Sequence, residues 1–149
     1  MEYKRIKRTL VYEGSILDVY QDTMEISNGH TVNWDYIGHK GAAAIIAEDA
    51  DGKIIMVRQY RNTLDGYSIE IPAGGKEAEE DMAVCAAREL EEETGYRPEY
   101  VEHLMDFIPA IAYSGEVIGI YYSDRLVPSL QNFDEDEDIE VLKYSMDEL

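Results

Sequence analysis

Three observations predict an α+β fold: a mixed β-sheet with one helix packed on it, preceded by an antiparallel sheet. Strand-like runs fill residues 6–71, one helical run follows, and strand-like runs return after residue 100. Ala42-Ala43-Ala44-Ile45-Ile46-Ala47 is continuously apolar, the mark of a central strand covered on both faces. Ala83, Ala86, Ala87 and Leu90 recur at helical spacing and form one apolar side. The 149 residues divide into an antiparallel sheet over residues 1–40, expected to serve in dimerisation, and a main domain over residues 41–149.

In chain order, Ile6, Arg8, Leu10 and Tyr12 alternate as in a strand, as do Ile16 to Ile26 and Thr31 to Ile37. Ser27-Asn28-Gly29-His30 is a hairpin-turn signal. Three such strands hold too little apolar material alone, so they must pack on the rest of the chain or on a second copy. Lys53 to Tyr60 returns antiparallel to the central strand through Asp49-Ala50-Asp51-Gly52. Tyr67 to Pro72 is a short strand ended by its proline, and Ala73-Gly74-Gly75 is read as the turn into the helix. Tyr100 to Phe107, Glu116 to Tyr122 and Ile139 to Tyr144 are the later strands, with a loop over residues 128–138. The final residues from Met146 look like the start of a helix.

The formal net charge is −19 at pH 7. Such a surface repels nucleic acid, whose affinity comes from cationic contacts to phosphate, and disfavours anionic membranes. A small anionic substrate remains accessible where cations and a few arginines reverse the sign locally. No apolar run approaches the ~20 residues of a membrane helix, and the basic amino terminus lacks the apolar stretch of a signal peptide. Cys85 is alone, which excludes an internal disulfide and fits a cytoplasmic location. It is read as a small packing residue rather than a reactive thiol. His30, His39 and His103 are read as turn, strand and surface residues, and Tyr121-Tyr122 as core strand.

The helical run ends on Arg88-Glu89-Leu90-Glu91-Glu92-Glu93-Thr94-Gly95-Tyr96. Glu89, Glu92 and Glu93 share a side next to Arg88, while Glu91 points elsewhere. At these spacings the carboxylates repel one another, and they occupy the end of the helix where the dipole is already negative. Arg88 offsets one of them at most. Gly95 suits a left-handed cap that stops the helix. A solvated acidic face is one account of this cluster. A bound cation is the other, and hard oxygen ligands without His or Cys point to Mg²⁺, with Mn²⁺ as a substitute.

The complete spacing runs from Gly74 through five residues to Glu80, then seven residues to Arg88 and on to Tyr96. It is similar to the Nudix box, with every fixed Gly, Glu and Arg present and Tyr96 where an aliphatic residue is usual. A chance match is on the order of 10⁻⁵. Arg58-Gln59-Tyr60-Arg61 and Gly66 to Gly74 extend the likeness to the ADP-sugar pyrophosphatase branch. This resemblance covers residues 41–141 and, more weakly, the amino-terminal strands. It implies the Nudix fold, an α/β/α sandwich, and metal-dependent hydrolysis of a nucleoside diphosphate sugar. ADP-ribose is the first expectation; GDP-mannose and a non-catalytic nucleotide-sugar sensor are the alternatives.

The resemblance also implies roles. The Ala73 carbonyl, Glu89, Glu93 and Glu137 match metal ligands, with Glu92 accessory and Glu80 and Arg88 supporting. Arg88 is expected to orient a box glutamate through a salt bridge. Arg61 matches a substrate-contacting arginine, in keeping with the forked hydrogen bonds a guanidinium gives phosphate. Arg58 and Glu70 join it as substrate-side candidates. Trp34 matches an aromatic that stacks on adenine, in some relatives from the partner subunit of a homodimer, and Ile16 stands where some relatives carry a second one. Ile111 replaces a proline usual in ADP-ribose hydrolases. Within Asp134-Glu135-Asp136-Glu137-Asp138, Glu135 is the candidate general base, with Glu116 the competing one. A solvated acidic loop is the other account of that run.

Overall fold

The structure is a computed structural model that describes residues 2–133 and 138–149. It divides the chain into two compact units, Met1–Gly41 with Ile108–Val117, and Ala42–Phe107 with Ile118–Leu149.

The first unit is built on a three-stranded antiparallel sheet, β1 (Lys4–Glu13), β2 (Asp18–Glu25) and β3 (Thr31–Gly38). The predicted turn closes β2 to β3, with Gly29 at φ 82°, where a left-handed backbone favours glycine. Arg8 forks onto Asp22 of the neighbouring strand at 2.7 and 2.6 Å, and its guanidinium lies 3.7 Å from the Tyr36 ring centroid. The Arg8 hydrogen bonds hold the buried Asp22 carboxyl below the usual carboxylate range. β3 also fastens the 108–117 segment. Ile37 N–H donates to Tyr113 O at 2.7 Å, and Gly115 N–H donates to Ile37 O at 2.9 Å.

The second unit is a seven-stranded mixed sheet. Its main path runs β12 (Glu140–Tyr144), β5 (Ile54–Arg61), β4 (Ala42–Glu48), β10 (Ile118–Ser123), β9 (Glu102–Phe107). β6 (Gly66–Glu70) pairs with β5, and β7 (Ala73–Gly75) pairs with β4. Only β4 and β10 run parallel. The strands β8 (Tyr96–Pro98) and β11 (Leu126–Pro128) form a small separate pair.

The helix α1 (Met82–Thr94) packs on this sheet because its apolar side matches β4. Cys85, Ala86 and Leu90 bury against Ala43, Ile45, Ala47, Ile55 and Tyr121. Each large aliphatic side chain buried there contributes about 1.5–3 kcal/mol. Asp81 caps the helix start by accepting Ala83 N–H at 2.8 Å, and Gly95 ends it at φ 72°. Burial pushes the Cys85 thiol up to about 12, as a packing sulfur requires.

Four expectations are revised. Ala73-Gly74-Gly75 is a strand, β7, rather than a free turn, since pairing with Ala42 to Ala44 satisfies its backbone. The second helical layer of an α/β/α sandwich is absent from the described residues, which contain α1 alone. The strands expected from Tyr100 and from Glu116 begin later, at Glu102 and at Ile118, and Glu116 falls in the first unit. At the carboxyl end, Ser145 N–H and Oγ both donate to the Glu148 carboxylate at 2.8 Å, and residues 146–148 form a turn where a helix start was expected.

Candidate active site

Packing on β4 sets the rotation of α1, and that rotation decides where its acids go. With Cys85, Ala86 and Leu90 turned inward, Glu89 and Glu93 face β7 and are 8% and 2% exposed. A solvated acidic face is thereby ruled out for these two. Glu93 Oε2 accepts Ala73 N–H at 3.1 Å. The Glu89 carboxylate lies against Gly74 so closely that a Cβ there would stand 2.1 Å from its carboxyl carbon. Only glycine allows the two elements to meet at that distance.

Arg88 gathers the remaining acids. Its Nε donates to Glu80 Oε1 at 2.9 Å, and its Nη1 donates to Glu89 Oε1 and Glu92 Oε2 at 2.8 Å each. Its Nη2 reaches Glu80 Oε2 and the Gly75 carbonyl, both at 3.1 Å. The helix alone suggested that Arg88 could offset a single carboxylate; it bridges three, two from the helix through one nitrogen and Glu80 from the turn ahead of it. The Arg88 guanidinium draws the Glu80 carboxyl down to about 2, and Glu80 in turn raises Arg88 further above its ordinary value.

This pair makes stability depend on acid. A folded value near 2 against an ordinary 4.5 means that Glu80 stabilises the fold fully above pH 4.5. The contribution is lost as pH falls from there towards 2. Denaturant midpoints measured at pH 7 and pH 3 are expected to differ, and the difference is expected to shrink in Glu80→Gln.

The other candidates make contacts of their own. Arg61 forks onto Glu70 at 2.9 and 2.5 Å across β5 and β6, which keeps the Glu70 carboxyl below its ordinary range. Arg58 instead pairs with Glu140 of β12 at 3.1 Å and lies 4.0 Å from the Tyr67 ring centroid. In the first unit, Trp34 is half exposed beside Tyr3. There too, Glu116 has its N–H on Ser114 Oγ at 3.2 Å and its Oε1 3.7 Å from His39 Nδ1. Glu135 and Glu137 lie outside the described residues.

The donor set suits a hard divalent cation. Among the described residues no three His, Cys, Asp or Glu side chains form a ready metal-holding group. Mg²⁺ does not require one: it binds through one or two carboxylates and takes its other positions from water and substrate phosphates. Glu89 and Glu93, beside the β7 backbone, fit that pattern.

Residues the sequence reading passed over sit at the helix end. Ser129, Gln131 and Asn132 hydrogen-bond to Glu91, Glu93 and Glu92. No local pattern marks them, because they arrive from a segment read only as loop.

A family model described as the NUDIX domain matches residues 38–149. The methanol dehydrogenase activator of Bacillus methanolicus is 38% identical over 149 residues, covering 99% of this chain and 80% of its own length. The ADP-ribose pyrophosphatase of Bacillus subtilis (strain 168) is 33% identical over 150 residues, covering 99% and 81%. A solved structure described as that of an ADP compounds hydrolase superposes with a TM-score of 0.84 at 20% identity, covering 99% of this chain and 80% of that one, a likeness of fold. The domain match and the near full-length relatives agree with the box that the helix presents, and the chain belongs to the Nudix hydrolase family, in the branch of its ADP-ribose pyrophosphatase relatives.

Proposed function

We propose that the chain hydrolyses the pyrophosphate bond of a nucleoside diphosphate sugar, with ADP-ribose giving AMP and ribose 5-phosphate. The observation that carries this reading is the pair of buried carboxylates, Glu89 and Glu93, pressed onto the Ala73–Gly74 backbone. Mg²⁺, or Mn²⁺ in its place, would be held by Glu89, Glu93, the Ala73 carbonyl and Glu137, and would neutralise phosphate charge and acidify the attacking water. Glu135 takes the proton from that water, with Glu116 the rival base. Arg88 keeps Glu89 and Glu92 in place. Arg61 offers its guanidinium to a phosphate, positioned by Glu70, while Arg58 keeps to its ion pair with Glu140. Trp34 provides a ring on which adenine stacks.

The protein is proposed to act as a homodimer. The first unit leaves Leu10, Tyr12, Ile16 and Trp34 exposed, more apolar surface than a lone three-stranded sheet sustains.

The test is a panel of nucleoside diphosphate sugars with Mg²⁺, reading phosphate released after coupling to a phosphatase. ADP-ribose is expected to turn over fastest, and a chelator is expected to abolish the signal. GDP-mannose turning over faster would overturn the substrate assignment. Binding of ADP-ribose without product would favour the sensor. The 38% likeness to a dehydrogenase activator supports a second reading, stimulation of a dehydrogenase partner, which is read by adding the chain to a methanol dehydrogenase assay.

A further inference from the structure

We propose that Gln131 and Ser129 are positioning residues for the hydrolytic site, fixing the glutamate-bearing end of α1 to the chain that runs into the acidic segment. The inference rests on the reading of Glu89 and Glu93 as the cation-holding pair.

A helix cannot satisfy its last carbonyls from within. In α1 the Gly95 N–H takes Glu91 O at 2.9 Å, and the Thr94 hydroxyl takes Leu90 O at 2.5 Å. The next two carbonyls are those of Glu92 and Glu93, and both are reached from residues 131–132. Asn132 N–H donates to Glu92 O at 3.0 Å, and Gln131 Nε2 donates to Glu93 O at 3.0 Å. Ser129 adds two bonds, from its N–H to Gly95 O at 2.7 Å and from its Oγ to Glu91 Oε1 at 2.5 Å. Three residues far away in sequence thus complete the helix end through four hydrogen bonds, and two of the carbonyls they take belong to glutamates of the cluster.

Burial does not hold this strap. Leu130 is 84% exposed, and Gln131 and Asn132 are exposed as well. Its geometry is set by hydrogen bonds to α1 and by the bare Cα of Gly95, where an added Cβ would stand 3.2 Å from Gln131 Cγ. Phe133 alone separates Asn132 from the acidic run that starts at Asp134. One set of bonds therefore orients the last helical turn and anchors the entrance to that run. Groups one step behind metal ligands tune affinity by tenfold or more when they set ligand orientation.

The test compares the full chain with Gln131→Leu, which keeps bulk and removes the donor, and with Ser129→Ala. Asp81→Ala is the control, since it removes a cap from the other end of the same helix. Calorimetric titration of the substrate-free protein with Mn²⁺ is expected to show affinity about tenfold weaker in Gln131→Leu, and less so in Ser129→Ala. With substrate at fixed Mg²⁺, kcat is expected to fall about tenfold while KM for ADP-ribose stays within about twofold. Asp81→Ala is expected to lower the thermal midpoint and leave Mn²⁺ affinity unchanged. Wild-type Mn²⁺ affinity in Gln131→Leu would overturn the proposal. So would equal losses of affinity in Gln131→Leu and Asp81→Ala, which would mark the strap as a stability device. A wild-type protein that binds Mn²⁺ and hydrolyses nothing on the panel would remove the proposed function, while the calorimetric comparison would still decide the role of the strap.

Discussion

Glu93→Gln is expected to lose turnover by about 10³-fold or more, while the protein still folds and unfolds at nearly the wild-type temperature. The substitution keeps the volume of a side chain that is 2% exposed. It also keeps an oxygen that can accept Ala73 N–H, the 3.1 Å bond that ties α1 to β7. What it removes is the charge. A factor of 10³ in rate corresponds to about 4 kcal/mol of transition-state stabilisation, a reasonable share for a group that holds a charge-neutralising cation against a pyrophosphate. The stability change is expected to be small in either direction, since an isosteric amide spares the fold a buried charge. ADP-ribose hydrolysis and a thermal melt, run on the same preparation, decide it. Hydrolysis at the wild-type rate would show that the metal is held elsewhere.

The second large effect is expected from a single methyl group. In Gly74→Ala the new Cβ would stand 2.1 to 2.2 Å from all three atoms of the Glu89 carboxylate group. That group cannot swing aside cheaply, because it is 8% exposed and Arg88 holds its Oε1 at 2.8 Å. Either β7 moves off β4 or Glu89 leaves its place, and both disturb the cluster. A loss of about 1–3 kcal/mol in stability is expected from the overpacking, with kcat down by about 10²-fold. Gly75→Ala is the matched comparison: nothing lies within 4 Å of its added Cβ. It is expected to leave both quantities close to wild type. If the two alanines behave alike, the close approach at Gly74 is not what places Glu89.

Much of the helix and the sheet it packs on was legible in the sequence. The box spacing located α1 and its stop at Gly95, and the alanine-rich side correctly named the face that packs on β4. The hairpins were legible because their turns carry Gly and Asn or Asp where the backbone needs them. The unread parts depend on contacts between distant segments. Ala73-Gly74-Gly75 has almost no strand propensity of its own, yet becomes a strand because β4 offers a partner. The three-residue strands β8 and β11 have the same origin. Arg88 was given one carboxylate, but one nitrogen of its guanidinium takes both Glu89 and Glu92 on the helix, and Glu80 folds back from the preceding turn where helical spacing does not reach. Glu91 was rightly set apart from the cluster, but its bond to Ser129 crosses 38 residues, beyond the reach of any periodicity.

The sulfur of Cys85 has no exposure, and its proton is held to about pH 12. Oxidants and electrophiles attack the thiolate, and only when they can reach it. A lone cysteine placed midway along the glutamate helix would ordinarily give peroxide a handle on the enzyme. Sealed in this way, the Cys85 sulfur offers peroxide no such handle.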